Sequence, residues 1–69
     1  MDQTEIQRRT YYPGRGVRVT DRRLRLARSP GIITGVNIGR GAPYAMVLLD
    51  RPDYVEPIAF DLGQLLVRD

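Results

Sequence analysis

A single all-β domain, five short strands wrapped into a small barrel, is what the 69-residue sequence predicts. Three observations carry that reading. Residues 31–38 alternate β-branched side chains, residues 44–49 are almost wholly apolar, and Gly39-Arg40-Gly41-Ala42-Pro43 between them is turn chemistry. Together they form the central hairpin on which the rest of the chain is hung.

In the first arm of that hairpin Ile32, Thr34, Val36 and Ile38 share one parity, and Ile33, Gly35 and Asn37 share the other. Residues two apart in a strand point to one side, so the even-numbered face is expected to be the apolar one. A helix here would carry two interior glycines at about 1 kcal/mol each. Pro30 also keeps Ser29 out of helical geometry and marks where the strand begins. In the return arm Ala45, Val47 and Leu49 lie on one face and Tyr44, Met46 and Leu48 on the other. A strand apolar on both faces is usually covered on both. In so short a chain the second cover is a terminal segment or another subunit.

The remaining elements follow in order. Residues 1–12 form an N-terminal arm in which two readings stand, one turn of helix over 4–9 capped by Thr4, or disorder. The barrel itself is expected over 13–69. Pro13-Gly14 signals a turn, and Gly16-Val17-Arg18-Val19-Thr20 is the first strand, with Val17 and Val19 inward. Residues 21–30 read as a long loop with an extended piece inside it, Leu24 and Leu26 pinning it to the core. Arg51-Pro52-Asp53-Tyr54 is a turn. Residues 55–60 are the next strand, with Pro57 placing that position at an edge or bulge. Asp61-Leu62-Gly63-Gln64-Leu65 suits a single turn of 3-10 helix headed by a capping aspartate, and residues 66–69 close as a short strand.

Composition removes whole classes of chemistry. There is no cysteine and no histidine, which excludes disulfides, thiolate or imidazole metal sites and histidine acid–base catalysis. Ser29 is the sole serine and there is no lysine, so a nucleophile has no visible activator. Asp50, Asp53, Glu56 and Asp61 are read as turn and cap residues rather than as a cation site or an acid–base pair. Gly14-Arg15-Gly16 and Gly39-Arg40-Gly41 do not lead from a strand into a helix, so they are turn glycines and not phosphate loops. No catalytic, cofactor or metal residue is expected. The longest apolar run, 45–49, is far below the ~20 residues of a membrane span, and the first residues lack the pattern of a cleaved export signal. A soluble, cytoplasmic protein is expected, with no membrane partner. A chain of this length buries only about 60% of the surface its unfolded form exposes. Without disulfides or metal, oligomerisation is the remaining outside support.

The element order is that of an SH3-like barrel. Gly16-Val17-Arg18-Val19, a loop, Pro30-Gly31-Ile32-Ile33-Thr34-Gly35-Val36, and later Pro57-Ile58-Ala59-Phe60-Asp61-Leu62-Gly63-Gln64-Leu65 resemble, over residues 14–69, the layout of KOW-type barrels of transcription-elongation factors and ribosomal proteins. That resemblance implies binding to RNA, ribosome or RNA polymerase. The order is also similar to that of type II dihydrofolate reductases, tetramers of SH3-like subunits around a shared pore. Their late-strand Val-Gln-Ile-Tyr segment is not matched by Val55-Glu56-Pro57-Ile58-Ala59-Phe60, so a pore-forming oligomeric enzyme stands third among the functional readings.

Charge carries the strongest functional signal. All eleven basic residues are arginine; eight face three acids in residues 1–30, net +5, and three face five in residues 31–69, net −2. Arg18, Arg22, Arg23, Arg25 and Arg28 on one side would make a patch for phosphates or for an acidic partner, and Tyr11 and Tyr12 beside it would offer stacking surfaces. Tyr44, Met46 and Leu48 are the expected oligomer or partner interface. The preferred function is a non-enzymatic adaptor that associates with itself or with a protein partner. Nucleic-acid binding like that of the KOW barrels is the alternative.

Overall fold

The computed structural model describes residues 3–20, 28–39 and 41–68. Residues 21–27 of the expected 21–30 loop, including Arg22, Arg23 and Arg25, lie outside the described residues, as does Arg40. Helix α1 spans Gln3–Thr10, followed by strands β1 (Gly16–Val19), β2 (Pro30–Asn37), β3 (Tyr44–Leu49) and β4 (Ile58–Asp61), a 3-10 turn (Leu62–Gln64) and β5 (Leu65–Val67). The strands form one antiparallel sheet in the order β4-β3-β2-β1-β5. The fold is therefore mostly β, with the 3-10 turn standing before the last strand as expected. Among the described residues no helix is long and apolar enough to cross a membrane.

The sheet is not closed into a barrel, which corrects the expected architecture. β4 and β5 are its two edges, four and three residues long. The 3-10 turn spans between them and sends its bonds elsewhere: the Leu62 amide donates to the Pro43 carbonyl at 3.4 Å, and the Gln64 carbonyl accepts from Thr20 N–H at 2.8 Å. Edges this short, joined by a turn that bonds to other strands' ends, form no ladder of their own. Two element bounds also differ from expectation. β4 begins at Ile58, just after Pro57, whose missing N–H cannot enter a ladder. β5 begins at Leu65, directly from the turn. Asp61 heads the turn in extended geometry, and its amide donates to Gln64 Oε1 at 3.0 Å.

The inward face buries Val17 and Val19 of β1, Ile33 of β2, Ala45, Val47 and Leu49 of β3, and Phe60 of β4, joined by Ile38, Leu62 and Leu65. The expected parity of β2 is wrong in its first half. Gly31 and Ile33 are buried while Ile32 stands outward. The register then slips: Ile33 pairs with Val47, but Gly35 pairs with Met46, the next residue along, so Thr34 is an extra residue. This bulge turns the remainder of the strand over. Val36 then pairs with inward Ala45, and Ile38 is buried. Thr34 Oγ1 donates to the Met46 carbonyl at 3.4 Å, a side-chain bond across the site where the ladder is interrupted.

Gly31 sits where β1, β2 and β3 come closest, paired with Val17 on one side and Leu49 on the other. A Cβ at this position would lie 2.7 Å from Val47 Cγ1 and 2.8 Å from the Leu48 carbonyl oxygen. The second contact is backbone and has nowhere to go. Gly14, at φ +95°, turns the chain into β1; its amide donates to the Ile33 carbonyl at 2.8 Å, and the Ile33 amide returns the bond to Arg15 at 2.9 Å. Ahead of it, residues 3–10 adopt the helical alternative. Glu5 and Arg9 form an i,i+4 ion pair at 3.0 Å, Arg8 Nη2 donates to the Ile38 carbonyl at 3.2 Å, and Tyr11 packs against the core.

Two predictions follow from this geometry. Gly31→Ala overpacks the junction and destabilises the protein by about 1–3 kcal/mol, whereas Gly35→Ala, with no atom within 4 Å of the new Cβ, leaves the urea midpoint nearly unchanged. Ile33→Ala costs about 2–5 kcal/mol and Ile32→Ala under about 1. Equal losses at the two isoleucines in urea melts would show that β2 keeps one parity and has no bulge.

Candidate functional site: the outward face of the sheet

The parity that buries Val47 turns Leu48 outward, and the register aligns what else shares that side. Leu48 pairs with Ile32, Ile32 with Gly16, and the Gly16 carbonyl accepts from Arg68 N–H at 2.8 Å. One row across four strands is therefore Arg68, Gly16, Ile32, Leu48. The neighbouring row is Leu66, Arg18, Pro30, Asp50: Arg18 pairs with both Leu66 and Pro30, and Asp50 N–H donates to the Pro30 carbonyl at 2.9 Å. Ile32 is 53% exposed, Leu48 39% and Leu66 59%.

A shallow cleft of about 390 Å³ runs through these rows, with Gly16, Gly31 and Pro30 on its floor, Ile32 and Leu48 along it, and Asp50 and Arg68 at its margins. Its shape follows from the sequence: Gly16 has no side chain between its row neighbours Arg68 and Ile32, which carry large ones. Another hollow of about 300 Å³ is lined, among the described residues, by residues 53–58 and follows the path of that segment.

Tyr44, Met46 and Leu48 share the outward face of β3, with Tyr44 Oη accepting from Asn37 Nδ2 at 3.2 Å. Arg18 is exposed on the same face, and its Nη1 donates to the Arg28 carbonyl at 3.0 Å. Arg28 is exposed and holds φ +69°. The tyrosines precede β1, separated from Arg18 by the turn in which the Arg15 amide donates to the Tyr12 carbonyl at 3.0 Å. Tyr11 is packed on the core. Tyr12 lies under the Arg15 guanidinium, 5.4 Å from ring centroid to Cζ, and its hydroxyl accepts from Arg15 Nη1 at 2.8 Å. Arg18 and Arg28 therefore meet, while Tyr11 and Tyr12 do not join them.

Sequence reasoning passed over Ile32, Leu66, Gly16, Asp50 and Arg68 as members of this face. Ile32 was assigned inward because the bulge leaves no mark on a period-two count. Leu66 carried a readable signal, since it alternates with Leu65 and Val67 in a strand too short to bury both sides. Of the expected turn carboxylates, Asp53 lies 3.6 Å from Arg51 Nε in the 51–54 turn, which the Tyr54 amide closes onto the Arg51 carbonyl at 3.1 Å.

Comparison with known proteins finds no matching family model, no matching curated protein and no matching solved structure, so the reading of this face rests on its own chemistry.

Proposed function

We propose that the protein is a non-enzymatic binding module that associates with polypeptide through the outward face of its sheet. One observation carries the reading: paired Ile32 and Leu48 in one row, and Leu66 in the neighbouring row, are exposed apolar side chains on a face that the chain's own described elements leave open. Apolar side chains exposed together around a cleft, rimmed by charge, are the pattern of an interaction surface. Their burial is favourable by about 25 cal/mol per Å² of apolar area.

The strand order supports an adaptor scaffold. β5 returns to pair with β1 after a 3-10 turn, which is the order of SH3-like barrels. In this reading the arginine-rich first half supplies the rim of a protein contact rather than a phosphate track. Arg18 stands within the apolar rows, and the face of Tyr12 is already taken up by Arg15.

A photoreactive residue placed at Leu48 in the cell that makes the protein should capture polypeptide. The same residue at Ile6, also exposed but on helix α1, which is tied to the far end of β2, should capture little. Equal capture at both positions, or nucleic acid in place of polypeptide at position 48, would count against the proposal.

A further inference from the structure

Building on that reading, we infer that the occupant of the outward face is a second copy of this chain, related by a two-fold axis running along β2. Two copies stacked face to face about such an axis place β1 of one over β3 of the other. The rows then fall into register. Gly16 lies opposite Leu48 of the second copy, and Arg18 lies opposite its Asp50, because Gly16 and Leu48 flank Ile32 in one row, and Arg18 and Asp50 flank Pro30 in the next. Ile32 meets Ile32, and Pro30 meets Pro30.

Each of these oppositions is complementary. Leu48 projects where the glycine leaves a hollow, and the nearest atom to a Cβ built on Gly16 is Arg68 Cβ, 3.8 Å away. The Arg18 guanidinium, held at this end by the Arg28 carbonyl, faces a carboxylate. The symmetry makes both contacts occur twice. A surface with knob and hole, and acid and base, at equal distances on either side of one strand is complementary to itself.

The area is sufficient for a modest dimer. The four strands of the rows, three to eight residues long, cover roughly 15 by 20 Å. With side-chain relief that amounts to roughly 1,000–1,200 Å² buried over both copies, at the low end for a specific interface. A dimer that dissociates on dilution is expected.

Sedimentation velocity of the full chain across a dilution series should show a species of twice the chain mass that gives way to monomer. Arg18→Asp or Asp50→Arg alone should raise the dissociation constant about tenfold, and the two together should restore it. Gly16→Val should also weaken the dimer by filling the hollow, although it adds apolar surface. Unspecific apolar sticking gives the opposite sign and would overturn the inference. Far-ultraviolet circular dichroism of each variant establishes that it folds; these side chains are outward and bear no core contact. Monomer at every concentration overturns the second copy. If the photoreactive residue at Leu48 then captures a different polypeptide, the binding face still stands; if it captures none, both readings fall together.

Discussion

Both faces of the sheet depend on the extra residue at Thr34. Without it β2 would present Gly31, Ile33, Gly35 and Asn37 to the core, and the inward face would lose its apolar character halfway along the strand. With it Ile33 and Val36 both pair with inward residues of β3, and Ile38 remains buried beyond them. That single slip completes the interior by bringing Val36 and Ile38 to it, while Ile32, ahead of the slip, stands outward beside Leu48. A bulge also adds local twist, in a five-stranded sheet over a core that counts ten buried apolar residues among those described.

How much of this was legible in the sequence depends on how local the cause is. The parity of β1 and β3 was readable because each is a short regular run, and the 3-10 turn was readable from Asp61 and its spacing to Gln64. The 51–54 turn followed from Pro52-Asp53. The parity of β2 was not readable, because its alternation is ambiguous: Ile32-Ile33 offers an apolar side chain to either face, and only the register against β3 decides between them. Barrel closure was also beyond reach, since it rests on whether two edges pair, a long-range matter on which strand patterns are silent. Of the site, β3's outward trio was visible as an apolar strand with too many faces to bury. Its partners across the sheet became visible only through the register.

The open edges and the open face are consequences of chain length. A domain of this size buries only about 60% of the surface its unfolded chain exposes, and a strand apolar on both sides cannot be covered twice by so few residues. Helix α1 has no buried residue among those described, and Arg8 ties it to the end of β2 rather than to the rows at that strand's start. Apolar area therefore remains on the outside of a fold whose inside is already filled, and that area is where association can add stability by mass action.

Two glycines show how the inner and outer faces divide the work. Gly31 is required by the interior, because β3 approaches so closely that even a methyl group would strike its backbone. Gly16 relieves no such clash among the described residues. Its added Cβ would meet nothing nearer than 3.8 Å, and a glycine inside a strand weakens it for want of a side chain to pack. What it contributes is a hollow on the outward face. The hollow it leaves lies one residue across from Ile32, opposite the side occupied by Leu48, which is where a second copy would bring its own leucine.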